Sequence, residues 1–185
     1  MSIQDVPVEQ FGSSAEPARI MWDNGCEAAL VTFAFAEKSC FPFIQKKYLV
    51  AGVLSEPQVM DGKLYTIDLI DRDGNNERIT AHGVPSLLND PVGHGHLGPL
   101  AEQFPKVYLG VFEALKPKPL DLLIGNEVLS LQPKCMNGRD YQACGTNLFC
   151  YESKFGHGHV LVGNVTGLSD SPKVASMVTQ MVNSI

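Results

Sequence analysis

Charged side chains are scarce in this chain, and basic ones scarcer still. Lys and Arg number 14 against 20 acidic residues, 18% of 185 residues in all, for a net charge of −6. A nucleic-acid groove needs clustered Lys and Arg. The lysines that lie near one another (Lys46, Lys47, Lys116, Lys118) are few and interleaved with proline or aromatic residues, so nucleic acid is set aside as a partner. No apolar run approaches the length of a membrane span, and the first residues lack a basic start followed by an apolar block. The expectation is therefore a chain with no membrane partner and no signal peptide, cytoplasmic in location. The sequon Asn164-Val165-Thr166 then has no secretory context and is read as unused. Five cysteines is an odd count, which favours free thiols in a reducing compartment. No internal repeat with a period of roughly 20–50 residues is present, which argues against a solenoid.

What is there is apolar and mainly β-prone: 44% of residues are hydrophobic, enough to bury a core in a chain of this length. Residues 1–18 are polar, with two prolines and a Gly-Ser-Ser, and read as a flexible leader. Residues 19–165 read as the folded domain, and 166–185 as a C-terminal helical extension. Leu30 to Ala36 suits a strand passing into a short helix that ends near Lys38, and Lys47 to Leu54 suits a strand. The alternation in Tyr65-Thr66-Ile67-Asp68-Leu69, the turn Asp73-Gly74-Asn75 and the return Glu77 to Val84 make a hairpin. Residues 83–105 are rich in Gly, Pro and His and read as a loop with one helical turn near Leu100 to Phe104. Leu122-Leu123-Ile124, closed by Gly125, is a run suited to a strand buried on both faces. Phe149 to Val162 reads as two short strands about a Gly-His-Gly turn. Val174, Met177, Val178, Met181, Val182 and Ile185 follow helical spacing behind Ser171 and Pro172.

The stretch Ile20-Met21-Trp22-Asp23-Asn24-Gly25-Cys26 places a carboxylate at the end of an apolar strand and at the start of a glycine turn. Asp-Asn-Gly alone is a common turn tripeptide. With a glycine-bearing hairpin downstream and a later apolar-apolar-Gly strand, it makes the pattern of an aspartic protease lobe. Peptide hydrolysis by water needs a base to take the water's proton and an acid to polarise the carbonyl. Two adjacent carboxyls supply both, because like charges that close share one proton. The chain has a single Asp-x-Gly tripeptide, so a dyad needs two copies, each giving one Asp23 about a two-fold axis.

Four segments carry a resemblance. They are Met21-Trp22-Asp23-Asn24-Gly25-Cys26-Glu27-Ala28-Ala29-Leu30-Val31-Thr32; Tyr65 to Gly83, with Leu69-Ile70-Asp71-Arg72-Asp73-Gly74 at its turn; Pro119-Leu120-Asp121-Leu122-Leu123-Ile124-Gly125; and Tyr151-Glu152-Ser153-Lys154-Phe155-Gly156-His157-Gly158, closed by Val162-Gly163. In this order the chain resembles the retropepsin-like aspartic peptidase region of BEL/Pao-class LTR retrotransposon polyproteins. The resemblance implies a mainly β, closed-barrel-like lobe with short helices, working as a homodimer with Asp23 as catalytic acid and base. It implies that Asn24 and Gly25 form the active-site turn and that Leu122, Leu123, Ile124 and Gly125 form the strand packed beneath it. It also implies a flap over Leu49 to Val59, its tip at Gly52, Val53, Leu54 and Ser55. The substrate would be an extended segment of the element's own polyprotein, and no metal or organic cofactor would be required. The family has Ser or Thr after the Asp, where this chain has Asn24. That difference supports the alternative of a catalytically silent, protease-like dimerisation or peptide-binding module.

Other residues invite other chemistry. His94 and His96, and His157 and His159, alternate as strand residues on one face would, and imidazole is a common metal ligand. With Cys135, Cys144 and Cys150 they still fit no standard zinc spacing. Cys26 beside the turn has no His near it in sequence and reads as a small buried side chain rather than a nucleophile.

Overall fold

Alternate apolar residues Tyr65, Ile67, Leu69 and Ile79, Ala81 turn one face of a hairpin inward. In the computed structural model, which describes residues 2–9, 16–50, 58–104, 106–136, 141 and 147–164, that hairpin lies within the main sheet. The strands are β1 (Ser2–Val6), β2 (Ala18–Trp22), β3 (Leu30–Thr32), β4 (Phe43–Val50), β5 (Gln58–Ile70), β6 (Asn76–Val84), β7 (Val92–His94), β8 (Leu115–Lys118), β9 (Leu122–Ile124), β10 (Lys134–Cys135), β11 (Asn147–Glu152) and β12 (His159–Asn164). The helices are short: α1 (Phe33–Lys38), α2 (Gly98–Ala101), and 3₁₀ turns at Leu109–Phe112 and Asn126–Val128. The molecule is mainly β, as the composition and alternation imply. No helix among the described residues is long and apolar enough to cross a membrane.

Seven strands form one mixed sheet in the order β1-β2-β9-β3-β6-β5-β4. Strand β9 lies parallel to β2 and antiparallel to β3, and β3 runs parallel to β6. Two smaller sheets, β10-β11-β12 and β7-β8, pack around it. The expected closed barrel does not form among the described residues. β4 occupies the outer edge of β5 only as far as Tyr65. Beyond that, the segment after β1 reaches across: Ile70 N–H donates to Pro7 O, Glu9 N–H to Asp68 O, and Val8 bridges Leu69. One isolated bridge curls the sheet without closing it.

Strands β2 and β9 are buried on both faces, so their residues feed two cores by strict alternation. Ile20, Trp22, Leu122 and Ile124 join Val31, Phe35, Ile67 and Phe155 on one side, while Met21 and Leu123 join Leu87, Val92 and Leu120 on the other. A third cluster holds Phe104, Phe112, Leu148 and Cys150. Thr32 caps α1 by accepting from Phe35 N–H at 3.3 Å, as the strand-to-helix expectation for Leu30 to Ala36 requires.

The leader expectation is overturned for its first part: Ser2–Val6 is strand β1, paired antiparallel with β2. Two of its three inward residues are polar, Ser2 and Gln4, which hid the alternation. Gln4 is satisfied by the β11–β12 turn: its amide donates to Phe155 O at 2.9 Å, and Ser153 Oγ donates to its Oε1 at 3.0 Å. The helical turn in 83–105 sits at Gly98–Ala101, earlier than expected, because Pro99 suits a first turn. The terminal extension 166–185 and its helix lie outside the described residues.

Arg19, only 2% exposed, ties three elements together. Its guanidinium meets Asp5 in a two-pronged contact at 2.6 and 3.1 Å, and donates to Val92 O and Lys116 O, so β7-β8 is fastened to β1 and β2. Its backbone N–H donates to Asp121 Oδ2 at 2.8 Å.

Candidate active site

Strand β2 ends at Trp22 and the chain turns at once. Asp23 N–H donates to Ile124 O at 3.0 Å, and Cys26 N–H donates to Asp23 O at 3.3 Å, closing a four-residue turn with Asn24 and Gly25 at its centre. Gly25 N–H donates to Asp23 Oδ1 at 2.8 Å. Asp23 is half-buried; Asn24 and Gly25 are exposed. The three residues border a pocket of about 260 Å³ whose other walls include Ser2, Trp22, Gln132, Pro133, Tyr151 and Val162.

The strand that the resemblance assigns beneath the turn lies beside β2 in the main sheet. Leu122, Leu123 and Ile124 form β9, fully buried, in register with Ile20, Met21 and Trp22. Gly125 then runs against the backbone that leaves the turn. A Cβ added to it would stand 2.5 Å from Ala28 O and 2.6 Å from Cys26 O, so only glycine permits the approach. Behind Gly125 the chain grips the turn by hydrogen bonds. Asn126 N–H donates to Cys26 O at 2.8 Å, and Glu127 N–H to Glu27 O at 2.9 Å. The Glu127 side chain accepts from Ala29 N–H at 2.8 Å, and the Asn126 side-chain amide donates to Asn24 O. Gln132, buried, donates to Ile124 O at 2.8 Å and Gly125 O at 3.0 Å.

Asn126, Glu127 and Gln132 were not singled out in the sequence. Their partners are backbone carbonyls and amides, which leave no residue-type signature. The available signal was indirect: a turn leaves unpaired carbonyls, and polar residues directly after an apolar-Gly strand are placed to meet them.

The expected flap tip, Gly52, Val53, Leu54 and Ser55, lies outside the described residues. The strands on either side of it are described: β4 and β5 pair from Phe43 with Tyr65 as far as Val50 with Gln58. Val59 shares a face of β5 with Tyr65, Ile67 and Leu69, yet it is 70% exposed where they are buried. Asp61 and Lys63 stand between Val59 and Tyr65 on that face, so the face turns polar where it leaves the core.

The remaining candidates fall elsewhere. Burial pushes the Cys26 thiol up from its ordinary range, and its Sγ donates to Ala28 O at 3.2 Å, so the thiol is held protonated. His94 ends β7, its Nδ1 lying 2.9 Å from Gly95 O, and His157 meets the Tyr108 ring at 4.6 Å, tilted by 37°. Burial lowers His159 below the usual histidine value. Among the described residues, no three His, Cys, Asp or Glu side chains converge as a metal site would need.

A carboxylate fixed at a strand end, anchored by a neighbouring strand and bordering an open pocket can accept a proton from water and return it. Compared with models of known families, with curated proteins and with solved structures, the chain matches none of them.

Proposed function

We propose that this chain is an aspartic endopeptidase that works as a homodimer, each copy giving one Asp23, and cuts extended segments of a retroelement polyprotein inside the cell. The observation that carries the reading is the Asp23 turn. A lone carboxylate stands at the end of β2 and is anchored to Ile124 of the adjacent parallel strand, with the two residues that follow it exposed. A dyad across a two-fold axis needs those residues on the surface.

One Asp23 takes a proton from water, and the resulting oxygen attacks the scissile carbonyl. The protonated partner Asp23 donates to that carbonyl's oxygen. The proton taken by the first is then given to the leaving amine, and the roles reverse. The substrate lies as an added strand between the Asp23 floor and the β4–β5 hairpin, on which exposed Phe43 and Val59 flank Asp61 and Lys63. The resemblance supplies the substrate class; neither metal nor organic cofactor has a part in these steps.

The second reading, a silent dimerisation or peptide-binding module, is favoured by one observation. Asn24, in place of the family's hydroxyl residue, stands exposed at the turn's tip. Cleavage of a polyprotein segment by the wild type and by Asp23→Asn separates the two. The peptidase reading expects cleavage lost in the variant, and equal cleavage in both, or none in either under dimer-forming conditions, sinks it.

A further inference from the structure

The central peptide of the active-site turn, Asn24 C=O to Gly25 N–H, is one rigid plane. Its N–H is committed to Asp23 Oδ1 at 2.8 Å, and its C=O accepts from the Asn126 side-chain amide. In a four-residue turn this plane is the part that can flip. Types I and II differ by its rotation, and the second form needs a positive φ at the third residue. That residue is Gly25, which can adopt either form at little cost. In the structure Gly25 is not among the glycines with positive φ, so the turn has the type I sense, with its central N–H turned toward the side chain of the first residue. Nothing in the identity of Gly25 enforces that choice. Asn126 does, by holding the opposite end of the plane.

We propose that Asn126 is the positioning residue of the Asp23 turn: its side-chain amide locks the Asn24–Gly25 peptide against flipping and so keeps a hydrogen bond aimed at Asp23 Oδ1. Among the described residues, Asp23 Oδ2 then has no donor and is the oxygen left for the reacting water. Asn126 is itself fixed, because its N–H is bonded to Cys26 O at 2.8 Å and it directly follows Gly125, whose bare Cα allows the close approach. The lock is made within one subunit, so the turn is set before two copies meet. The catalytic consequence rests on the reading of Asp23 given above; the lock itself does not.

The test uses the full chain with Asn126→Ala and the isosteric Asn126→Asp, and reads amide exchange at Gly25 by NMR beside kcat and KM on a peptide substrate. In Asn126→Ala, Gly25 N–H exchanges about ten times faster or more, since its protected form is no longer held. Its kcat falls by about ten- to a hundredfold while KM stays within about twofold, the pattern of a misplaced reacting group. Asn126→Asp behaves alike at neutral pH, where its carboxylate has no proton to donate. On acidification it regains one O–H donor, so Gly25 protection returns toward the wild-type value at the same pH. A merely structural role for Asn126 would not produce that acid rescue.

Unchanged Gly25 exchange in both variants overturns the lock, and faster exchange with unchanged kcat overturns the positioning role. Should Asp23→Asn cut as well as the wild type, the peptidase reading falls by itself, and the exchange rates still decide whether Asn126 holds the turn.

Discussion

Replacing Gly125 with alanine tests the packing that supports Asp23. The added Cβ would stand 2.5 Å from Ala28 O and 2.6 Å from Cys26 O, both backbone atoms that no rotamer change can move. Carbon–oxygen contacts settle near 3.3–3.6 Å, so the two segments must part by about 0.8 Å. The bond from Asn126 N–H to Cys26 O, now 2.8 Å, spans the same gap. Stretched that far, to about 3.6 Å, it ceases to be a hydrogen bond. Overpacking costs about 1–3 kcal/mol and the lost bond about 1 kcal/mol more. The stiffer unfolded chain returns about 0.4–1 kcal/mol. The expected net loss is about 1–3.5 kcal/mol, a fall in Tm of roughly 2–14 °C for a chain of this size. Thermal and urea unfolding followed by circular dichroism measure it. Gly95→Ala is the control, because nothing lies within 4 Å of a Cβ there. A Gly125→Ala protein within about 0.5 kcal/mol of wild type, the range of an inert surface change, would refute the reasoning.

Three further outcomes follow from the same fold. Gln4→Ala strips Phe155 O and Ser153 Oγ of their buried partner and is expected to cost about 1–3 kcal/mol in urea unfolding; a neutral result would mean that β1 does not hold the β11–β12 turn. Arg19→Met takes from Asp5 its two-pronged partner, leaving Lys118 at 4.0 Å, and leaves Val92 O and Lys116 O without that donor, with an expected loss of about 2–4 kcal/mol, and a stable variant would contradict the fastening role. Burial raises Asp121 above its ordinary value despite the opposing Arg19 N–H and Lys118. The folded state therefore holds that proton more tightly than the unfolded one, and the group's contribution to stability declines as pH rises through the carboxylate range. Asp121→Asn should remove that slope from about pH 4 upward, read as urea midpoint against pH, and an unchanged slope would show that the buried carboxyl does not carry it.

Much of the fold was legible because its strands obey simple alternation. The β5–β6 hairpin shows period two, and its Asp71 side chain closes the turn by accepting from Asp73 and Asn75 N–H at 2.9 and 2.8 Å. Leu122-Leu123-Ile124 shows the unbroken run of a strand buried on both faces. β1 was hidden because its inward positions include Ser2 and Gln4, and Gln4 is buried against partners about 150 positions away. β7 and β8 were hidden by Gly and Pro, and Arg19 donates to a carbonyl on each of them. Of the candidate site, the Asp23 turn behind an apolar strand and the buried run Leu122 to Ile124 were legible in residue types, while their pairing came from the resemblance alone. Asn126, Glu127 and Gln132 could not, since they act on backbone groups whose positions only the fold defines.

The central claim is that the catalytic centre is one site made by two copies of the chain. Titration with a tight-binding peptide that carries a hydroxyl in place of the scissile carbonyl tests it most directly, followed by loss of cleavage or by calorimetry, with size measured on the same sample. The account predicts saturation at one inhibitor per two chains, on a dimer, and no binding to Asp23→Asn. Saturation at one inhibitor per chain, or equal binding by the wild type and Asp23→Asn, would contradict it.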